Sequence, residues 1–500
     1  MNTMPVLSLI LAIPTAACLA IWLLPRAWCR GVALAALLSA LTFALWLVFS
    51  FPRGDAGFHF VERHDWIPGL GIAYHVGVDA LSALFPPATL VLMLCIIVAS
   101  WRRPEADAPL YYTLLLLLTA ATLGIFFALD TILFIFCWEM TILPLYFMIA
   151  LWGEGDLRRH AAAKYALMMV TGGIPLLFGI LLLAFNHASV APDGRLSFDM
   201  PRLLATPLSH ETGQAVFLLL LLGFSFKVPL PPFHTWLPVV ARSGPIWVVA
   251  ALTGLKLGAY GLMRLAIPLA PQAAREFHWL LAGLGSTGMV LGALIALVQS
   301  DLRLMLGYLS LSHVGLVVLA LSSFDVQGIQ GSLLQLLNFT FISGGSFLLL
   351  EAIQQRTGTL LAEELGGVAR AAPLLAALFL FLGLAGMGLP GTSGFPAELL
   401  LLLSVFHNHT GSGLLVLVTL VLTAAAFLSL YRRVFYGPVE RPVVGTMSDL
   451  RPREWLFATV LVISNLAVGF SPHAVLEFLK PAAERWVSLA ERGGLPPVSP

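Results

Sequence analysis

Apolar runs of helical length recur from one end of the sequence to the other. They cover 5–24, 31–51, 79–100, 110–129, 131–152, 164–185, 215–238, 245–268, 279–299, 304–322, 330–353, 373–390 with 394–406, 413–434 and 455–471. The hydrocarbon core of a bilayer takes about 20 such residues in a helix. A chain inside that core must satisfy its backbone internally, which leaves helices or a closed barrel, and runs of this length are helices. Window counting predicts an all-α polytopic membrane protein with about 14 transmembrane helices. Composition agrees: 11% of residues are charged, against about 25% in a soluble domain, too few to cover a soluble surface of this size.

What is not in the runs narrows the function. The formal net charge is +1, so there is no basic field and no nucleic-acid partner is expected. Cys18, Cys29, Cys95 and Cys137 never form a Cys-x-x-Cys pair and read as small buried hydrophobes. No Gly-x-Gly-x-x-Gly fingerprint follows a strand-like run, and no P-loop is present. The sequence thus predicts no cofactor and no metal on this chain, with the lipid bilayer as its main surroundings. The first run lacks a basic start and a cleavage site, so it is expected to be a retained span. The longest linkers, 52–78 and 187–213, are too short for a catalytic domain.

Linker charge orients the chain. One set holds Arg26, Arg30, Arg102, Arg103, Arg158, Arg159, Arg242, Arg303, Arg356, Arg370, Arg432, Arg433, Arg441, Arg451 and Arg453; the other holds Arg53, Arg63, Arg195, Arg202, Arg264, Arg275, Lys480, Arg485 and Arg492. The excess places the first set in the cytoplasm and both termini on the outer face. The tail 474–492 reads as an amphipathic helix lying on that face.

Charges inside spans are expensive, about 2.5–3.5 kcal/mol each on insertion scales, and mark ion paths. Five ionisable residues qualify: Glu139, Lys227, Lys256, His313 and Glu398. Two lie beside helix breaks. Lys227 is followed by Pro229, Pro231 and Pro232; Glu398 is preceded by Gly388, Pro390, Gly391, Gly394 and Pro396. Broken helices at corresponding places in two halves are a mark of inverted-repeat transporters. Two five-helix repeats are therefore expected, with 1–109 as an N-terminal segment, 110–268 and 269–434 as the repeats, and 435–500 as a last helix and tail. Each residue also has a structural alternative. Glu139 and Lys227 could form a static pair, Lys256 could snorkel, His313 could be a satisfied interhelical histidine, and Glu398 could cap its half-helix.

The motifs around these residues carry a resemblance. Trp138-Glu139-Met140-Thr141-Ile142-Leu143-Pro144, Lys227-Val228-Pro229 with Phe233-His234-Thr235-Trp236-Leu237-Pro238, Lys256-Leu257-Gly258-Ala259-Tyr260-Gly261, Asp301-Leu302-Arg303 with Ser310-Leu311-Ser312-His313, and Leu389-Pro390-Gly391-Thr392-Ser393-Gly394-Phe395 through Glu398 resemble the antiporter-like proton-pumping subunits of respiratory complex I. The likeness is to the M-type, chain 4 of NADH-quinone oxidoreductase, over about residues 75–435. It implies breaks in helices seven and twelve, an ion pair between Glu139 and Lys227, Lys256 as central shuttle and Glu398 as terminal acid. It implies other membrane subunits of a complex I-like assembly as partners, a bacterial cytoplasmic membrane, and translocase activity with the redox chemistry on other subunits. The acid at 398 and the lack of a long lateral helix after the last span separate it from the L-type.

Departures from the pattern mark a divergent paralogue. Val239-Val240-Ala241 stand where the family has Asp-Ala-His, and Asn338 is followed by Phe339 where the family has histidine. The link from Lys256 to Glu398 is then expected to run through His313 and water, with Tyr308, Gln335 and Thr340 as weaker candidates. Two other functions stay open at this point. One is an ion-translocating subunit of a related assembly: a sodium/proton antiporter complex, a membrane-bound hydrogenase or an inorganic-carbon uptake complex. The other is a membrane scaffold with a degenerate path.

Overall fold

The computed structural model describes residues 4–101 and 107–492. Arg102 and Arg103, placed above among the cytoplasmic linker charges, lie outside the described residues, as does the side chain of Arg492. Helices dominate: α1 (Val6–Leu23), α2 (Cys29–Phe49), α3 (Phe85–Ala99), α4 (Ala108–Phe127), α5 (Thr131–Met140), α6 (Ile142–Trp152), α7 (Arg158–Val190), α8 (Met200–Ala205), α9 (His210–Lys227), α10 (Trp236–Ser243), α11 (Ile246–Leu255) and α12 (Leu257–Gly261). They continue as α13 (Ile267–Leu269), α14 (Pro271–Glu276), α15 (His278–Leu297), α16 (Leu302–Leu321), α17 (Val326–Thr357), α18 (Val368–Ala371), α19 (Pro373–Ala385), α20 (Gly394–Asn408), α21 (Thr410–Tyr436), α22 (Pro442–Gly445), α23 (Pro452–Phe470) and α24 (Pro472–Arg492). Every apolar run of the sequence is mainly helical. Among the described residues, eleven helical stretches are long and apolar enough to cross a membrane, and α3 and α19 are shorter apolar helices.

The helical reading omitted one element. Within the linker 52–78, β1 (His59–Ile67) and β2 (Ile72–Val78) pair as an antiparallel hairpin. Its turn holds Gly71 at φ 71°, a left-handed conformation that glycine adopts without a Cβ clash. Glu62 of β1 accepts the backbone N–H of Leu7 at 2.8 Å, so the hairpin ties down the start of α1. Arg485 of α24 donates to Ala56 O at 2.7 Å. Both described ends of the chain therefore lie on the hairpin's face of the molecule.

The tail is amphipathic as expected, but its apolar side is on protein. Leu479, Ala482, Ala483, Trp486 and Ala490 are buried, and Trp486 donates its indole N–H to Met263 O at 2.8 Å. Arg264, counted above among the outer linker charges, is another correction. It lies in a π-helical turn, Leu262–Ala266, continuous with the α11–α13 span, and is buried in an ion pair with Asp79 at 2.5 Å. A buried arginine needs such a partner, because an unpaired charge at that depth would cost several kcal/mol.

Helix starts follow the capping rule that a short acceptor side chain takes up free N–H groups. Asp130 accepts Ile132 N and Leu133 N at 2.9 and 3.1 Å to start α5. Asp301 accepts Arg303 N at 2.8 Å to start α16, and Asp325 accepts Gly328 N at 2.6 Å to start α17. Helix α17 is the buried axis of the molecule, packed by α3, α11, α16, α19, α20 and α23. Helix α7 is peripheral and exposes Leu167, Ile174, Phe178, Leu182 and Phe185 along one side, an apolar surface suited to hydrocarbon.

Candidate functional site

Three interruptions of the helical ladder lie at or beside Lys227, Lys256 and Glu398, and each is satisfied from a neighbouring residue. Between α9 and α10 the prolines 229, 231 and 232 stop the helix; the freed Phe226 carbonyl accepts the Trp236 indole at 2.8 Å. Between α19 and α20 the chain turns at Gly388 and Gly391. There Ser393 O accepts Asn338 Nδ2 at 2.9 Å and Ser393 Oγ accepts Asn465 Nδ2 at 2.6 Å. The third break was not expected. Lys256 separates α11 from α12 at φ 40°, ψ 40°, a left-handed conformation costing about 1–2 kcal/mol for a residue with a Cβ. Thr340 of α17 caps this break by donating to Gly254 O at 3.1 Å. Backbone breaks at membrane depth persist only with such partners.

The two lysine breaks are packed against each other. A Cβ on Gly258 would stand 2.5 Å from Val228 N and 2.8 Å from the Lys227 carbonyl carbon, so glycine is what lets the backbones meet. The Lys227 ammonium donates to Thr141 Oγ1 at 2.8 Å and Trp138 O at 3.3 Å, and stands 3.8 Å from the Trp138 ring centroid. Among the described residues the expected Glu139–Lys227 ion pair is not formed. The lysine has turned to the α5–α6 junction, and Glu139 Oε1 is buried against Gly173 of α7 without a hydrogen-bond partner. A locked structural pair is therefore not what these two residues make.

Lys256 does not snorkel. Its ammonium is buried, donates to Ser310 Oγ at 2.5 Å and Ser310 O at 3.4 Å, and lies 4.8 Å from the Phe339 ring centroid. Ser310 and His313 are three residues apart on α16 and so share a face. They line one cavity of about 50 Å³ with Gln335, Asn338 and Phe339, room for about three waters. His313 Nε2 stands 3.7 Å from Glu398 Oε1, and neither atom has a hydrogen-bond partner among the described residues. Glu398 does not cap α20; it points to His313 with Gly388 behind it. A second cavity, of about 30 Å³, is lined by Lys227, Thr141, Lys256 and residues of α4 and α7.

The structure thus places Lys227, Lys256, His313 and Glu398 in one file, with Glu139 beside its first member. Phe339 does not leave a gap, since its ring faces the Lys256 ammonium. Of the weaker candidates, Gln335 lines the second half of the file, Thr340 caps the Lys256 break, and Tyr308 lines neither cavity. Sequence reading missed Ser310 and Thr141 as lysine partners, although both lie inside the quoted motifs. It also missed the buried Asp79–Arg264 pair, because Asp79 opens an apolar run and looked like a linker residue.

Ionisable side chains beside backbone breaks inside a helical membrane bundle are a feature shared by inverted-repeat transporters. A family profile described as NADH:quinone oxidoreductase/Mrp antiporter, transmembrane, matches residues 128–423. The chain belongs to that family. The F420H2 dehydrogenase subunit M of Methanosarcina mazei is 32% identical across 98% of this chain and 100% of its own length. The NADH-quinone oxidoreductase subunit M of Rhodobacter capsulatus is 33% identical across 92% of this chain and 90% of its own. A chain of respiratory complex I from Thermus thermophilus with bound NADH superposes with a TM-score of 0.88 at 30% identity, covering 97% of this chain and 99% of that one.

Proposed function

We propose that the chain is the proton-translocating membrane subunit of a complex I-type quinone oxidoreductase, driven by redox chemistry on other subunits. Its partners are the other membrane subunits of that assembly, and its hairpin face, with both described ends, is the outer one. The observation that carries this reading is the file of Lys227, Lys256, Ser310, His313 and Glu398, with cavities of water size between Lys227 and Lys256 and beside Ser310 and His313.

In this mechanism Glu139 is the switch. When its carboxylate swings toward Lys227 it favours the ammonium, and when it returns to Gly173 the lysine, in apolar surroundings, releases its proton. Lys256 receives that proton, Ser310 holds the ammonium in place, and His313 relays the proton to Glu398. One pKa unit corresponds to about 1.4 kcal/mol, so a carboxylate moving a few ångströms in a low-dielectric interior supplies enough energy to switch a lysine. The unfilled hydrogen-bonding atoms of Glu139, His313 and Glu398 support a device that changes partners over a static scaffold. Lys256→Met in the assembled complex keeps the length of the side chain and removes its proton site. Proton uptake in proteoliposomes is expected to fall about tenfold or more; uptake at the wild-type rate would refute the reading. The relatives include F420H2 and NADH dehydrogenase subunits, so the electron donor is settled by the subunits that co-purify.

A further inference from the structure

The cavity between the two lysines has a polar wall that the file itself does not use. It is lined by Thr122 of α4 and Tyr165 of α7 in addition to Thr141, Trp236, Lys227 and Lys256. Tyr165 and Thr122 are fully buried, and neither hydroxyl has a hydrogen-bond partner among the described residues. Buried hydroxyls are nearly always paired, with protein or with ordered water. Two unpaired ones on a single cavity wall point to water. A water needs about 10–15 Å³ and two to four polar partners, so the 30 Å³ space takes about two.

Donor accounting agrees. An ammonium has three N–H groups. Lys227 uses two on Thr141 and Trp138, and Lys256 uses two on the hydroxyl and carbonyl of Ser310. Each ammonium keeps one N–H that these bonds do not use, on a side chain that lines the cavity. The Tyr165 ring is held edge-on by Trp236 at 5.4 Å between centroids, and Trp236 is itself fixed by its bond to Phe226 O. The phenol therefore sits on a supported ring at the mouth of the Lys227 break.

We infer that Tyr165 and Thr122 hold the water that joins Lys227 to Lys256, and are positioning residues for proton transfer between them. This inference rests on the relay reading above. In the transfer an N–H bond of the Lys227 ammonium breaks and an O–H bond forms on the water. A different O–H bond of that water breaks and an N–H bond forms on neutral Lys256. The water ends unchanged, Lys227 ends neutral, and the positive charge has moved to Lys256. Tyr165 and Thr122 exchange no net proton; they orient the water.

Tyr165→Phe and Thr122→Val remove the hydroxyls and keep the shapes. The test compares the assembled complex with the double variant by a density map that resolves ordered water, and by protons moved per electron in proteoliposomes as a function of pH. Expected are wild-type density within hydrogen-bond reach of Tyr165 Oη and of one lysine Nζ, its loss in the variant, and a fall in proton transfer of about tenfold. The fall should be accompanied by a changed pH profile, which a packing role would not alter. An empty wild-type cavity overturns the inference without any variant having to fold. So does a double variant with wild-type proton transfer. If instead Lys227→Ala moves protons normally while the density is present, the relay reading falls and the two hydroxyls still stand as a hydration site.

Discussion

Single side chains decide what the site can do, and Ser310 is the plainest case. Among the described residues, its hydroxyl and carbonyl are the two acceptors of the buried Lys256 ammonium. Ser310→Ala is expected to cost about 1–3 kcal/mol, the penalty for a charged group losing a buried partner, and to slow proton transfer. Thermal unfolding of the purified variant checks the first effect; an unchanged midpoint would mean that water replaces the hydroxyl. At this scale the sequence was partly readable. Glu139, Lys227, Lys256, His313 and Glu398 stood out because charge in an apolar run is costly and therefore rare. Ser310, Thr141, Thr122 and Tyr165 did not, because hydroxyls are cheap in helices and only three-dimensional placement tells a lysine partner from a bystander. The left-handed turn at Lys256 was equally hidden, since no proline or positive-φ glycine marks it; only packing against Val228 and the Thr340 cap hold it.

At the next scale, breaks and seams set the geometry of the bundle. The α9–α10 and α19–α20 breaks were legible from proline and glycine clusters, which stop a helix wherever they occur. Both halves of the molecule also start a buried helix from an aspartate cap, Asp130 and Asp301, each paired by a bridge to a distant segment, Asp199 and Leu361. These parallel devices support the two-repeat reading. The seam of α15 with α16 is made by small residues: a Cβ on Gly285 would stand 2.8 Å from Gly315 O, and one on Gly315 would stand 2.7 Å from Gly285 O. Close backbone approach of this kind is how membrane helices associate when lipid and side chains are equally apolar. Gly315→Val is expected to destabilise by about 1–3 kcal/mol through overpacking and to shift His313, two residues away on the same helix. A thermal unfolding midpoint equal to wild type would contradict the seam.

Across the whole molecule, the hairpin face holds its loops by charge. Burial works against ionised Asp199, but the His75 hydrogen bond at 2.9 Å, the Arg202 backbone N–H and the charge of Arg63 together hold its carboxyl below the ordinary value. A carboxyl with a depressed folded pKa contributes stability that is present above its unfolded pKa, about 3.9, and is lost as pH falls through the folded value. Amide protection of the α8 segment, corrected for intrinsic exchange, should therefore drop in acid and be low at every pH in Asp199→Asn; a pH-independent wild type would contradict it. The membrane fold was legible because about 20 apolar residues in a row have few other fates. The hairpin was not, because its strands mix polar and apolar residues in a linker outside the apolar runs of helical length, and the docked tail was not, because an amphipathic helix covers protein or lipid equally well.

The relay is tested most directly at its first lysine. Proton translocation per electron is measured in proteoliposomes holding the assembled complex, with Lys227→Ala beside wild type and with subunit content confirmed for both. The assembled variant is expected to lose coupled proton translocation. An assembled variant that moves protons at the wild-type ratio would contradict it.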